Sequence, residues 1–246
     1  MSSKEVPGQL VTEKDHAGVT REGANRIEAA LKAAVAARGH ASLALSGGNT
    51  PRGAYATLAQ ASGIDWSKVD IFWVDERAVP PGDDRSNYRW AKATLLDNAR
   101  MDPAKVHRMP ADASDLEAAA KAYEKTLRDH VAGDAEAVPV IDVMVLGVGD
   151  DGHTASLFPG DRAVDVTDRS VVAVGAQHGL EARLTLTRPV IQRSRLVLIL
   201  VQGGEKRAAL ARAWAATGDV HETPSRLLRD CKGEVVWIVD QAAAPP

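Results

Sequence analysis

Cysteine is nearly missing: Cys231 is the only one in 246 residues. No intrachain disulfide can form and no zinc–thiolate cluster can assemble, so a reducing compartment is favoured and we expect a cytoplasmic protein. Long apolar runs are lacking too. The longest relevant one, Leu196 to Val201, has six residues, against the roughly 20 needed to span a bilayer. The stretch 1–15 is polar, partly acidic and without the apolar core of a signal peptide, so no membrane partner is expected. Charge of one sign is not in excess. A net charge of −3 gives no basic surplus for a phosphate backbone; no nucleic-acid partner is expected and any anion site must be local. Motifs are missing as well: there is no G-x-S-x-G elbow, and Cys231 sits in a late Arg-Asp-Cys-Lys-Gly turn with nothing catalytic around it. None of the seven histidines falls in H-E-x-x-H, so no zinc hydrolase is indicated and neither metal nor cofactor is expected.

What is present is an ordinary globular composition, 45% hydrophobic and 26% charged, long enough to bury a sizeable core. We expect one domain over 1–246, with a lead-in at 1–17 and a frayed tail at 241–246. Short apolar or alternating runs, the Ile141 run rich in β-branched residues, read as strands: an edge strand at Gln9–Thr12, then Ser42–Ser46, Val69–Val74, Val106–Met109, Ile141–Leu146, Ser170–Val174, Arg183–Thr187, Leu196–Val201 and Val235–Val239. Between them lie helical patterns at Gly18–Arg38, Ser86–Ala99 and Ser114–Val131, the last opened by a capping box at Ser114 and Glu117. Short helices follow Arg188-Pro189 and Lys206, with another at 224–229; 133–139 is a linker, and 160–180 is loop apart from its one strand. The alternation predicts an α/β fold: a doubly wound, mostly parallel sheet flanked by helices in three Rossmann-like layers.

Three strands end in polar or glycine-rich turns, at the carboxyl edge where such sheets bind ligands. Ser46-Gly47-Gly48-Asn49-Thr50-Pro51 delivers free backbone N–H groups to a helix start, which suits phosphate. The same letters equally describe a plain glycine turn with Thr50 as N-cap. Asp75-Glu76-Arg77 follows the Val69 strand, and the polar loop Pro80–Arg85 beyond it reads as a mobile flap. Gly147-Val148-Gly149-Asp150-Asp151-Gly152-His153 follows the Ile141 strand. Its glycines satisfy G-x-G-x-x-G, but two aspartates inside the turn would repel a pyrophosphate. Two other readings stand beside the dinucleotide cradle: a tight turn whose histidine caps a helix, and a catalytic turn in which an aspartate orients a histidine base.

The run Gly-Val-Gly-Asp-Asp-Gly-His-Thr-Ala-Ser-Leu-Phe-Pro, residues 147–159, resembles the signature of the 6-phosphogluconolactonases. The related glucosamine-6-phosphate deaminases share its core but continue with an Asn-Glu-Pro type ending. The resemblance extends in order to Ser46–Pro51, to Val74–Pro80 with Ser86-Asn87, and to Arg183–Lys206, with a weaker echo at Pro224–Ala243. It implies hydrolysis of a sugar-phosphate lactone by water. His153 would be the general base and Asp151 its orienting partner, with Arg77 assisting catalysis or holding phosphate. Ser46, Gly47, Gly48, Thr50, Asp75, Asn87, Arg183 and Lys206 would bind substrate and its phosphate, and backbone N–H groups of the glycine turns, Gly149 among them, would meet the oxyanion. A small-molecule partner and a monomer or small homo-oligomer follow. The rivals are an amino-sugar-phosphate deaminase, which wants an acid soon after His153 where Ser156 to Phe158 supply none, and a sugar-phosphate sensor, for which no DNA-binding segment is present.

Overall fold

The computed structural model describes residues 6–133, 137–176 and 179–245. The lead-in at 1–5, linker residues 134–136, loop residues 177–178 and the last residue of the tail lie outside them.

Strand β1 (Gln9–Glu13) leads into helix α1 (His16–Arg38). The Asp15 carboxylate accepts the Gly18 N–H at 3.0 Å, so the helix begins two residues before the expected Gly18. Gly39 ends it in a left-handed conformation, φ 80°, donating its N–H to the Val35 carbonyl. Strand β2 (Ala41–Leu45) and helix α2 (Asn49–Leu58) follow, then β3 (Val69–Trp73). Gly48, at φ 103°, is the residue that opens α2, not Thr50, which lies inside the helix.

Asp75–Arg77 forms a short strand, β4. Helix α3 (Asn87–Ala91) is capped by Ser86 as expected, but continues through Leu96 as a wider π turn. Helix α4 (Leu116–His130) is capped by Asp115, whose carboxylate accepts the Ala118 N–H at 2.9 Å; the capping box expected at Ser114 is displaced by one residue. The expected strand at Val106–Met109 reduces to one bridge between Val106 and Ile71. The chain closes with β5 (Val143–Leu146), β6 (Val171–Val174), β7 (Arg183–Leu186), α5 (Arg188–Arg193), β8 (Leu196–Val201), α6 (Arg207–Trp214) and β9 (Glu234–Asp240). Residues Pro224–Asp230 adopt a 3₁₀ conformation.

Six strands form one parallel sheet in the order β1-β9-β8-β5-β2-β3. Its inner strands are buried along their length, and Trp73, Trp237, Tyr55, Tyr123 and Phe72 are the largest fully buried side chains. Each contributes on the order of 1.5–3 kcal/mol by leaving water. Helices α1 and α2 pack on each other, and α1 lies across β2, β8 and β9. The strand order reverses between β2 and β5, which places their carboxyl ends, Ser46-Gly47-Gly48 and Gly147–His153, on either side of the switch-point crevice.

A second sheet was not apparent from the sequence. Strands β4, β7 and β6 pair antiparallel, with Asp75 opposite Thr185 and Arg77 opposite Arg183. It joins the main sheet where the Leu186 N–H donates to the Val74 carbonyl at 2.7 Å. Among the described residues no helix is long and apolar enough to cross a membrane.

Candidate active site

A cavity of about 370 Å³ opens over the carboxyl ends of the parallel strands. Ser46, Gly47, Gly48, Thr50, Asp75, Arg77, Asn87, Gly149, His153, Arg183 and Lys206 all line it, although they are contributed from six separate parts of the chain. Of the site residues expected from the sequence, only Asp151 stands outside the lining.

Asp151 lies directly behind His153. Its Oδ1 is 2.7 Å from Nδ1 of the imidazole and accepts the His153 backbone N–H at 3.0 Å. Burial alone would raise the Asp151 pKa, but the bonds from His153 outweigh it and hold the carboxyl at about 2. The acid is therefore an anion at neutral pH, and it fixes Nδ1–H, leaving Nε2 as the basic nitrogen. The ring also packs against Phe158, centroids 4.6 Å apart. The turn itself is closed by the Gly152 N–H on the Gly149 carbonyl and the Gly149 N–H on the His153 carbonyl, both at 2.9 Å. No helix follows Gly152; residues 153–159 form turns and a Thr154–Leu157 bridge. The pyrophosphate cradle thus lacks the helix it needs, and His153 caps none.

The antiparallel sheet brings cations to the opposite wall. Arg183 is buried, with one guanidinium nitrogen 3.6 Å from the Asp75 carboxylate and 3.4 Å from Ser156 Oγ. Ser156 in turn donates to Asp75 at 2.6 Å, so a serine not singled out in the sequence ties Arg183 to its counter-charge. Burial lowers the Arg183 pKa, with the Asp75 carboxylate opposing and Arg77 adding to the shift. Arg77 donates to the Arg85 carbonyl, which anchors the base of the 80–85 loop; Arg85 pairs there with Asp83 and Glu181. On the third side, Lys206 forms an ion pair with Asp150.

Glu76 is the hidden support. Buried beneath the cavity wall, it accepts the backbone N–H groups of Arg77, Asn87 and Tyr88, each at 2.8 Å, and the Ser86 hydroxyl at 3.0 Å. That fixes the start of α3 and with it Asn87, whose amide donates to the Asp75 carbonyl at 2.9 Å. Gly47 must be glycine here, because a β-carbon on it would stand 1.9 Å from Asn87 Oδ1. Four buried polar atoms that lack a protein partner, Ser46 Oγ, Asn87 Oδ1, Arg77 Nε and Arg183 Nε, belong to residues that line this one cavity. Gln202 and Glu205, on the turn after β8, also line it and carried no sequence signal beyond their nearness to Lys206.

The site combines an oriented imidazole, free N–H groups at the start of α2, and three cations from different elements. Such a set can activate water beside a bound organic phosphate. Residues 14–237 match the family described as glucosamine-6-phosphate isomerases/6-phosphogluconolactonase. A 6-phosphogluconolactonase of Synechocystis sp. is 42% identical over 210 residues, covering 85% of this chain and 86% of that protein. One of Streptomyces coelicolor is 39% identical over 245 residues, covering 96% and 93%. The solved 6-phosphogluconolactonase of Trypanosoma cruzi superposes with a TM-score of 0.86 at 29% identity, covering 97% of this chain and 96% of that one. With this match along nearly its whole length, the chain belongs to the glucosamine-6-phosphate isomerase/6-phosphogluconolactonase family.

Proposed function

We propose that the protein hydrolyses 6-phospho-D-glucono-1,5-lactone to 6-phospho-D-gluconate, the lactone step of the oxidative pentose phosphate pathway, as a soluble cytoplasmic enzyme acting as a monomer or small homo-oligomer. The observation that carries this reading is the Asp151–His153 pair at 2.7 Å on the edge of a cavity whose other walls are cationic.

A δ-lactone is an activated ester, so water can attack it directly once a base removes its proton. Nε2 of His153 takes that proton as the water oxygen bonds to the lactone carbonyl carbon, and Asp151 stabilises the imidazolium formed. The oxyanion is met by backbone N–H groups of the glycine turns at the cavity edge, but not by that of Gly149, which is already donated to the His153 carbonyl. Collapse breaks the bond from the carbonyl carbon to the ring oxygen, which receives the proton back from His153. No bond to the protein forms, and no step calls for a metal or cofactor.

The phosphate is assigned to the cationic wall. Arg183, Arg77 and Lys206, with the N–H groups of Gly47, Gly48 and Thr50, supply the charge and donors, and the Ser46 hydroxyl and Asn87 amide reach the sugar. Asp75 shapes this wall by holding Arg183, in addition to facing the cavity itself.

The test is proton release from freshly generated 6-phosphogluconolactone in weak buffer with the spontaneous rate subtracted, run beside ammonia release from glucosamine 6-phosphate. Acceleration of the lactone alone is the expected result. Ammonia release without lactonase activity would transfer the chain to the deaminase branch of its family.

A further inference from the structure

We infer that Asp70, His107 and His130 form a binding site for one divalent transition-metal ion of the zinc class, at the pole of the parallel sheet opposite the cavity. Asp70 is the second residue of β3, His107 lies on the segment that bridges to that strand, and His130 is the last residue of α4. One ligand atom from each lies within 4.8 Å of the others.

The three elements are pinned together before any ion arrives. The His107 N–H donates to the Ile71 carbonyl at 2.9 Å. Its own carbonyl accepts the hydroxyl of Tyr123, from α4, at 3.1 Å, and that hydroxyl accepts the Trp73 N–H at 2.9 Å. The His107 ring stacks on Phe72, centroids 4.8 Å apart, and stands 4.1 Å from the His130 ring. Its Nε2 lies 2.7 Å from Asp70 Oδ1. The other carboxylate oxygen is taken by Lys105 at 3.1 Å, so Oδ1 is the oxygen offered.

Two imidazoles and one carboxylate suit zinc, cobalt, nickel or copper and not calcium or magnesium. Metal bonds of roughly 2.0–2.2 Å place tetrahedral ligands about 3.3 Å apart. The Asp70–His107 contact must therefore widen slightly, and His130, exposed at a helix end, must close in. Water completes the shell. The neighbouring Lys105 charge weakens the ion's hold, so the affinity is moderate. Because the ion would join β3 to α4 far from the cavity, its effect is on stability and not on lactone turnover.

The experiment uses the full chain, stripped with chelator and desalted, titrated with zinc chloride by calorimetry and followed by thermal unfolding. We expect one zinc per chain and a melting temperature raised on the order of 5 °C at about 100 times the dissociation constant. Binding should weaken roughly tenfold or more in His130→Ala and His107→Ala, and persist in His153→Ala. His130 is exposed, so its variant folds and decides the matter even if His107→Ala does not. Lactone turnover of His130→Ala should equal that of the parent. No stoichiometric uptake, uptake unchanged in His130→Ala, or uptake lost in His153→Ala would each overturn the inference, and leave Asp70, His107 and Lys105 as a hydrogen-bonded cluster.

Discussion

A β-carbon on Gly149 would stand 2.2 Å from Nδ1 of His153 and 2.7 Å from the Asp151 carboxylate. The backbone of the turn thus approaches the imidazole from the side on which Asp151 holds it, and only a residue without a side chain leaves room for both. Gly149→Ala should push the ring off its partner while the parallel sheet stays intact. Turnover is expected to fall on the order of 10²-fold, as for other displacements near 1 Å, with the melting temperature within a few degrees of the parent. A variant that kept normal turnover would show that the ring position is not decisive.

His153→Ala should lower turnover by about 10²- to 10⁴-fold with the Michaelis constant little changed, since the base acts in the transition state. Asp151→Asn should lower it less and leave binding intact. It also carries a pH signature. The folded-state pKa of Asp151 is depressed to about 2 from an ordinary 3.8, so its contribution to stability is fully present above pH 3.8 and disappears as pH falls through 2. The stability gap between parent and Asp151→Asn should shrink as pH falls below 4. Denaturant melts between about pH 5 and pH 2 measure it; a gap that widened below pH 4 would contradict the assigned contacts.

Lys206 pairs with the Asp150 carboxylate, and on the proposed reading the substrate phosphate competes with that carboxylate for it. Lys206→Ala should raise the Michaelis constant by about tenfold with turnover nearly unchanged, because a phosphate contact is shared by ground and transition states. Asp150→Asn should act in the opposite direction. Asp150 is exposed and Lys206 half-buried, so freeing the lysine should lower the Michaelis constant only about two- to fivefold, and less as salt is added. A loss of turnover in Lys206→Ala, with the Michaelis constant unmoved, would assign that lysine to the chemistry instead.

The glycine-rich strand ends were legible because the pattern is local: a short buried run, small and aliphatic before Ser46-Gly47-Gly48 and valine-rich before Gly147–His153, announces both the strand and its turn. The parallel sheet followed from the same signals. The small antiparallel sheet did not, because β4 is the charged triplet Asp75-Glu76-Arg77, whose strand conformation is imposed by pairing with Arg183–Thr185 more than 100 residues later. The Asp75–Ser156–Arg183 link was hidden for the same reason, whereas the donors gathered by Glu76 are local and were hidden because three of them are backbone N–H groups, which no residue type announces. Helix starts slipped by a residue or two where two capping residues stood together, as with Ser114 and Asp115.

Glu76 should matter to the fold more than to the chemistry. Glu76→Ala removes the acceptor of three backbone N–H groups and the Ser86 hydroxyl, and buried donors left without partners typically cost about 2–4 kcal/mol in total. Urea unfolding should register that loss, and the Michaelis constant should rise because Arg77 and Asn87 lose their anchorage. Acidity separates this site from Asp151. Burial raises the Glu76 pKa above its ordinary 4.5, against the N–H groups that lower it. The proton is therefore held more tightly in the folded chain, and Glu76's titration adds stability that is fully present below pH 4.5 and lost as pH rises through the folded value. The gap between parent and Glu76→Ala should thus widen as pH falls toward 4.5, whereas the loss of the Asp151 contribution begins only below about pH 4. Two carboxylates with opposite acid responses, one exposed beside His153 and one buried beneath Asn87, make the assignment of each set of contacts separately testable in the same series of melts.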